Sequence, residues 1–279
     1  MPIKTILVCL TNAEHADNLM KLAVPLAREH NAHLIGLHTI EALIVYPGIA
    51  MHVPGPAFAQ FNESQRTQAK EIEDIFKKHT RNEDFISEWR LLKTQSTCAA
   101  DRMVECARAA DIVIMSREDR NWDRADQSHA QDRVIRDGGR PVIVVPHEYE
   151  GGAIGKSILL GWSETRESTR AAHDVIAVAA PDASVGIMRV GSKGDDELGD
   201  ANANALAEHL DRWQMKATVI HRAKDGHSVA EMLNREAFET GADLVAVGAF
   251  GHSRTYDFVI GAATYDLLRN ANLPVMFSK

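Results

Sequence analysis

The sequence predicts an α/β protein with two tandem doubly wound domains, each built on a parallel five-stranded sheet. Three observations lead to this prediction. The second half of the chain repeats the first, short apolar runs alternate with helical periodicity in both halves, and glycine- or proline-rich breaks separate these segments. A chain of 279 residues is long enough for two domains that each bury a core of their own.

The internal repeat runs through the whole chain. KTILVCL at 4–10 recurs as KSILLGW at 156–162, and RVIRDGGRPVIVVP at 133–146 is answered by DLLRNANLPVMFSK at 266–279. The period is about half the chain, which is too long for a solenoid unit and indicates that a whole domain was duplicated.

The boundary between the copies lies in the segment HEYEGGAIGK. Gly151, Gly152 and Gly155 interrupt the apolar pattern there, immediately before the second copy begins, as glycines do where a chain leaves regular structure. We therefore predict one domain over residues 1–150 and a second over residues 153–279.

Each copy is predicted to contain five strands joined by four helices. The strand runs are continuously apolar rather than alternating, which favours a parallel sheet covered by helices on both faces. In the first copy the segments are, in order, a strand at ILVCL, a helix near 13–30, a strand at HLIGLHTI, a helix near 62–79, a strand at ISEWRLL, a helix near 98–109, a strand at DIVIMS, a helix ending at DGG and a strand at PVIVV.

Charge and composition indicate a cytoplasmic protein that binds neither nucleic acid nor membrane. The chain carries 39 acidic and 31 basic residues, a formal net charge of -8, which gives no overall attraction to polyanions. No apolar run approaches the roughly 20 residues that cross a bilayer, and the N-terminal MPIKTILVCL lacks the regions of a signal peptide. Cys9, Cys98 and Cys106 form no CxxC pair and are predicted to be reduced core residues.

The stretch VGAFGHSRTYDFVIGAAT at 247–264 carries the clearest functional signal. Gly248, Gly251 and Gly261 lie between the strand run ADLVAV and the helical run ATYDLLRNA, at the carboxyl end of a strand, where open α/β sheets bind ligands. Backbone N–H groups at the start of a helix favour an anion. Plain turn formation is the alternative explanation for the glycines.

The pattern G-x2-G-x9-G, followed by small residues, resembles the nucleotide-binding signature of the universal stress protein (UspA) family. The duplication, the strand order and the endings PVIVVP and PVMFSK are similar to that family too, so the resemblance covers essentially the whole chain as a tandem member. It implies a Rossmann-like sheet of the adenine nucleotide alpha hydrolase type. It also implies a stress-response sensor that binds ATP, with ADP or AMP as alternatives.

The resemblance assigns the bound phosphates to the three glycines. Family members that bind ATP hold the triphosphate at the positions of Gly248, Gly251 and Gly261. They carry Ser or Thr at the next position, where this chain has Ala262, whereas the later hydroxyl of Thr264 is retained. One hydroxyl that could donate to a phosphate oxygen is therefore missing.

Two further positions are implied to face the nucleoside. An aspartate commonly ends the first strand in the family and faces the ribose or adenine, and here that position is Ser163. The residue after the second strand that contacts the base would be Val190. Ser163, like Thr11 in the first copy, is also a suitable N-cap for the helix that follows.

The first copy lacks the glycine signature. Its equivalent positions fall on Ser116, Asp119 and Ser128, within an acidic segment. The Asp119 carboxylate would repel phosphate, and a side chain would fill the space that a glycine leaves open. We therefore expect nucleotide in the C-terminal domain only.

Three functions stay open at this point. The resemblance implies a nucleotide sensor that works through a protein partner, whereas Ala262 and Ser163 favour a stress-response scaffold without nucleotide. An ATP-hydrolysing or nucleotidyl-transferring enzyme is the third, but the loop has no evident base, metal ligand or Walker lysine, so at most weak ATP hydrolysis is expected. Arg254 is either a phosphate contact or an ordinary exposed loop residue.

The histidines are not expected to form a metal site. His30, His33 and His38 are close in sequence, but strand alternation puts His33 and His38 on opposite faces of the sheet. No carboxylate or cysteine completes a ligand set beside them.

One long apolar segment, EALIVYPGIAMHVPGPAFAQF at 41–61, is predicted to be a loop. It either covers the first sheet or the space between the copies, or forms a lid or partner surface with Tyr46, Met51 and Phe58. The sequence does not choose between these roles.

The last strand of each copy is an apolar edge that would otherwise be exposed. These strands lie at Pro141–Val145 and Pro274–Phe277. Family members commonly pair through their last strands, so the resemblance implies an intramolecular pseudo-dimer and leaves a homodimer open.

Overall fold

Strands and helices alternate along both halves of the chain, as the sequence predicts. The computed structural model describes residues 3–40, 55–94, 98–119, 129–191, 197–223, 226–251 and 259–279. The first half contains β1 (Thr5–Cys9), α1 (Ala13–His30), β2 (His33–Ile40), α2 (Gly55–Thr80), β3 (Ser87–Lys93), α3 (Ala100–Ala107), β4 (Ile112–Ser116), α4 (Ala130–Asp137) and β5 (Val142–Val145). The second half contains β6 (Ser157–Gly161), α5 (Arg166–Val178), β7 (Ser184–Val190), α6 (Glu197–Asp211), β8 (Lys216–Arg222), α7 (Val229–Thr240), β9 (Leu244–Gly248), α8 (Val259–Asn270) and β10 (Val275–Ser278).

The ten strands form one sheet in the order β3-β2-β1-β4-β5-β10-β9-β6-β7-β8. Strands are parallel within each half, and the halves meet where β5 and β10 pair antiparallel, with Val144 opposite Val275 and Val142 opposite Phe277. This confirms the predicted pairing of the last strands. Each half protects the edge strand of the other, because both strands lie in the middle of the continuous sheet.

Two apolar cores cover the two faces of the sheet. Ile6 and Val8 of β1 pack into one core, and Leu7 and Cys9 of the same strand pack into the other. Successive strand residues point to opposite faces, so a strand buried on both faces must be apolar throughout. This is the physical reason for the continuous apolar runs in the sequence.

Several helix boundaries follow from capping residues. Asn12 caps α1 by accepting a hydrogen bond from the His15 N–H at 2.9 Å, and Asn31 ends that helix with a φ of 47°. Ser228 and Glu231 form a capping box at the start of α7. Side chains of this kind satisfy backbone groups that have no partner within the helix.

Helix α2 is longer than the sequence indicates. It begins at Gly55 rather than near residue 62, so the expectation of a loop throughout 41–61 is wrong for its last seven residues. Pro56 is compatible with this start because the N–H that proline lacks has no helical partner in the first turn. Residues 41–54, including Tyr46 and Met51, lie outside the described residues.

The three cysteines carry thiols rather than disulfides. Cys9 is buried, whereas Cys98 and Cys106 pack against the core from partly exposed positions. Burial raises the pKa of the Cys9 and Cys106 thiols, because a low-polarity surrounding disfavours the thiolate.

Candidate functional site

The glycine turn after β9 lies at the carboxyl edge of the second half, beside the point where the strand order reverses. β6 lies between β9 and β7, and the helices that follow β6 and β9 pack on opposite faces of the sheet. Ligands of open α/β sheets bind in the crevice that such an arrangement leaves. We define the glycine-turn site as Ser163, Thr165, Glu167, Gly248 and Gly251.

The connection from β6 to α5 is held by three hydroxyl side chains. Thr165 has an extended backbone and accepts a hydrogen bond from the Ser168 N–H at 3.2 Å, which makes it the N-cap. The Ser163 N–H donates to Ser168 Oγ at 3.0 Å, and Ser163 Oγ lies 3.3 Å from Thr165 Oγ1. The N-cap interpretation of Ser163 and Thr11 is therefore wrong, since Thr165 and Asn12 cap the two helices.

Gly248 allows the glycine turn to lie directly on the first turn of α5. A Cβ atom at this position would be 2.5 Å from the Ser168 backbone N and 2.6 Å from the Glu167 carbonyl carbon. These are backbone atoms, so a side chain could not fit unless the helix or the turn shifted. Close packing, and not a positive φ, is thus the reason for glycine here.

Phe250, between two glycines of the turn, is the residue with a left-handed backbone. Its φ is 52°, a conformation that costs a bulky residue roughly 1–3 kcal/mol. Its N–H donates to the buried Thr264 Oγ1 at 3.4 Å, and the Arg136 guanidinium lies 3.5 Å from its ring centroid. Since Arg136 belongs to α4, the first half helps to hold the turn of the second.

The Glu167 carboxylate fills the polar side of the glycine-turn site. Its Oε2 would lie 2.9 Å from a Cβ atom on Gly251, and its Oε1 is 2.9 Å from Nη2 of Arg166. The Glu167 side chain is only 9% exposed, whereas that of Arg166 is 82% exposed. A negative charge in the first turn of a helix is favourable, but it opposes a second anion at the same place.

Gly261 and Ala262 lie inside the first turn of α8, which begins at Val259. The expectation that the helix starts after Gly261 is therefore wrong. Glycine is unfavourable in helix interiors because it loses the most backbone freedom, and its N–H in the first turn has no helical partner four residues back. Arg254 lies in 252–258, outside the described residues.

Val190 ends β7, beside the glycine-turn site. The Trp162 N–H donates to the Met188 carbonyl at 2.8 Å, so Ser163 and Val190 follow at the same level of neighbouring strands. Val190 is partly buried and pairs with Arg222 of β8. The fold thus brings Ser163, Gly248 and Gly251 together around α5, with Val190 at the adjoining strand end.

The equivalent place in the first half contains different side chains. The repeat aligns His15 with Glu167 and Asp119 with Gly251, and His15 Nε2 lies 3.7 Å from Asp119 Oδ2. Ser116 ends β4 and is buried, while Ser128 lies outside the described residues. The side chains of His15, Ser116 and Asp119 thus lie at this end of the first half.

Sequence reasoning missed Thr165, Glu167 and His15. Thr165 could have been found, because it directly precedes the helical run RESTRAAHDVIAV and hydroxyl residues are preferred caps. Acidic residues are common in first turns, so nothing in the sequence marks Glu167 as buried against a glycine. His15 becomes conspicuous only when the two copies are aligned residue by residue.

Comparison with known proteins finds matches to universal stress proteins. A sequence profile described as Universal stress protein family matches residues 2–146 and 156–279. Universal stress protein Slr1230 from Synechocystis sp. is 26% identical over 178 residues, which cover 60% of this chain and 57% of that protein. The chain therefore aligns with little more than half the length of this curated relative.

Solved structures share the fold. A universal stress protein from Archaeoglobus fulgidus DSM 4304 superposes with a TM-score of 0.74 at 13% identity, covering 99% of this chain and 96% of the other. A functionally unknown protein, PA1789 from Pseudomonas aeruginosa PAO1, superposes with a TM-score of 0.55 at 13% identity, covering 99% and 92%.

A universal stress protein from Archaeoglobus fulgidus has been solved in complex with dAMP. It matches 52% of this chain and 98% of its own length, with 15% identity and a TM-score of 0.34. At that score the likeness has no bearing on the ligand of this chain.

The family assignment rests on the extent of the match. The profile covers both halves separately, and the two halves have the same order of strands and helices. Within the described residues, no helix is both long and apolar enough to cross a bilayer. The chain belongs to the universal stress protein family, in which it is a tandem member with two family segments.

Proposed function

We propose that this chain binds an adenine nucleotide in its C-terminal domain and acts as a nucleotide-responsive regulatory module. The observation that carries the proposal is the position of the glycine turn. It lies at the carboxyl edge beside β6, against the first turn of α5, and Gly261 lies in the first turn of α8. Two helix N-termini at one crevice are suited to an anionic ligand.

The hydroxyls of the site are suited to the sugar of a nucleotide. Ser163 Oγ and Thr165 Oγ1 are 3.3 Å apart, and a Cβ atom on Gly251 would be 3.6 Å from Thr165 Oγ1. Ser163 stands where family members commonly have an aspartate, and Val190 at the adjoining strand end offers an apolar contact for a base. The resemblance implies ATP as the ligand, with ADP and AMP as alternatives.

A scaffold without nucleotide is the second candidate function. The observation in its favour is the Glu167 carboxylate, which lies against Gly251 and repels phosphate there. In that case Gly248 would serve only the packing of the turn on α5. The full chain would then act through protein contacts alone.

Nucleotide carried through purification separates the two candidates. The purified full chain is denatured, and the supernatant is chromatographed for ATP, ADP and AMP; nucleotide-free protein is then titrated with ATP by calorimetry. We expect a single ATP site per chain, and Gly261→Val should abolish ATP binding. The same variant should keep the thermal unfolding midpoint of the wild type, since valine has a better helix propensity than glycine. Absence of retained nucleotide together with no heat of ATP binding would leave the scaffold as the function.

A further inference from the structure

The first half contains a cluster of two histidines and a carboxylate at the carboxyl edge of its sheet. His15 comes from the first turn of α1, Asp119 follows β4, and His147 follows β5. His15 Nε2 and His147 Nδ1 lie 3.7 Å and 3.8 Å from Asp119 Oδ2. The three side chains are only 10%, 17% and 17% exposed, so bulk water has limited access to them.

A backbone hydrogen bond determines which ring nitrogen of His147 faces Asp119. Its Nε2 lies 2.7 Å from the carbonyl oxygen of Arg117, and a carbonyl can only accept, so Nε2 carries the hydrogen. In the neutral form of the ring, the lone pair is then on Nδ1, the nitrogen that lies 3.8 Å from Asp119 Oδ2. Histidines that bind metals are commonly oriented in this way, by a carbonyl that accepts from the other ring nitrogen.

We propose that His15, Asp119 and His147 form a binding site for a divalent transition metal, with Zn²⁺ as the best match. Two imidazoles and one carboxylate, with a fourth position left for water, are a ligand set that zinc uses in proteins. Ca²⁺ and Mg²⁺ prefer six or more oxygen ligands, so they fit this set poorly. Among the described residues this is the one group of three candidate ligands whose donor atoms lie within 4.8 Å of one another.

The distances to Asp119 call for a small contraction on metal binding. Zn–N and Zn–O bonds of about 2.0–2.1 Å in a tetrahedron put ligand atoms about 3.4 Å apart, a few tenths of an ångström closer than the distances to Asp119. The two imidazole rings are stacked, with centroids 3.7 Å apart and planes at 3°. They must tilt out of the stack for both lone pairs to converge on one ion.

This site departs from the expectation that the histidines bind no metal. That expectation considered His30, His33 and His38, of which His38 is turned towards the Leu10 carbonyl at 2.6 Å. The three proposed ligands lie far apart in the sequence, so their spacing gives no signal. The inference concerns the first half, and it does not depend on nucleotide binding in the second.

The test uses the full chain after treatment with EDTA and dialysis. ZnCl₂ is titrated by calorimetry, and CoCl₂ by the visible absorption of a tetrahedral cobalt site. We expect a single site per chain. Asp119→Asn and His147→Gln should each lower the affinity for Zn²⁺. The loss should exceed the roughly 10- to 100-fold that is typical when a residue that only supports a metal ligand is replaced.

The matched control removes a histidine pair elsewhere. His173 and His209 also contact each other, with ring centroids 5.1 Å apart, and the double change His173→Ala with His209→Ala should leave Zn²⁺ binding unchanged. Far-ultraviolet circular dichroism in EDTA shows that each variant is folded, and Zn²⁺ should raise the melting temperature of the wild type but not of Asp119→Asn. The proposal is overturned by no Zn²⁺ binding, which would leave the cluster an ion pair only, or by equal binding in Asp119→Asn.

Discussion

Glu167→Gln should tighten ATP binding while leaving adenosine binding nearly unchanged. The carboxylate lies against Gly251, in the turn that the family resemblance assigns to the phosphates. Glutamine has nearly the same size and keeps an oxygen for Arg166, so the change removes a charge and little else. The neutral nucleoside is the reference ligand, because it has no phosphate for the carboxylate to repel.

The size of the effect follows from the distance between the charges. A phosphate bound on the Gly251 N–H would lie about 5 Å from the carboxylate, and two unit charges at that distance repel by about 3 kcal/mol near a protein surface. The exposed Arg166, 2.9 Å from Glu167, offsets part of this repulsion. We expect ATP to bind at least about tenfold more tightly, which corresponds to about 1.4 kcal/mol.

The same substitution should lower the stability of the protein without nucleotide. Glu167 lies in the first turn of α5, where a negative charge stabilises a helix by about 0.3–1 kcal/mol. Binding and stability should therefore change in opposite directions, a combination that a general improvement in folding would not produce. Urea denaturation of both proteins measures the second effect.

Calorimetric titration of ATP and adenosine against both proteins tests the reasoning. Glu239→Gln, an exposed change at the end of α7, alters the net charge equally and should leave both affinities within about twofold. Equal weakening of ATP and adenosine by Glu167→Gln would mean that the carboxylate accepts hydrogen bonds from the ribose. Unchanged ATP binding would mean that the phosphates do not lie on this turn.

Three further predictions concern the glycine turn and the junction of the halves. Ala262→Ser should raise the affinity for ATP at least about fivefold and change the affinity for adenosine little, because a hydrogen bond to a charged phosphate contributes roughly 1.5–3 kcal/mol. An equal gain in affinity for both ligands would mean that the serine only stiffens the start of the helix. Gly248→Ala should lower the free energy of unfolding by roughly 1–3 kcal/mol, because the added Cβ clashes with the backbone of Ser168. Gly191→Ala has open space around its Cβ position and should lower that free energy by less than about 0.5 kcal/mol. Similar losses of stability in the two variants would contradict the close approach at Gly248. Residues 153–279 expressed alone should dimerise or precipitate through the uncovered β10, and a soluble monomer in size-exclusion chromatography would contradict this.

The fold could be predicted because its signals are local or repeated. Continuous apolar runs, such as the one in β1, follow from burial on both faces, and the repeat fixes the order of elements twice over. The start of α2 could not be predicted from the sequence, since apolar residues that follow two prolines are as typical of a covering loop as of a helix. The pairing of β5 with β10 was predictable because an apolar edge needs a cover and the resemblance named a partner.

The candidate site was predictable only in part, because its decisive contacts join residues that are distant in sequence. The glycines mark the turn, but the reason for Gly248 is the backbone of Ser168 lying 2.5 Å from its missing Cβ atom. The left-handed residue of the turn is Phe250, which no propensity would select. Its contacts are with Arg136 and Thr264, which become its neighbours only in the folded chain.

The two halves differ at equivalent positions, and we expect this difference to determine which of them binds an anion. Both have a carboxylate at the place where a phosphate would lie: Glu167 on the helix in the second half and Asp119 on the loop in the first. The ion-pair partner of Glu167, Arg166, is 82% exposed, so this carboxylate can turn towards solvent without leaving a buried cation unpaired. Asp119 faces His15 and His147, whose side chains are 10% and 17% exposed, and moving it away would remove a polar neighbour from two imidazoles in a poorly hydrated place. We therefore expect an anionic ligand to bind in the second half rather than in the first, where we propose a cation instead.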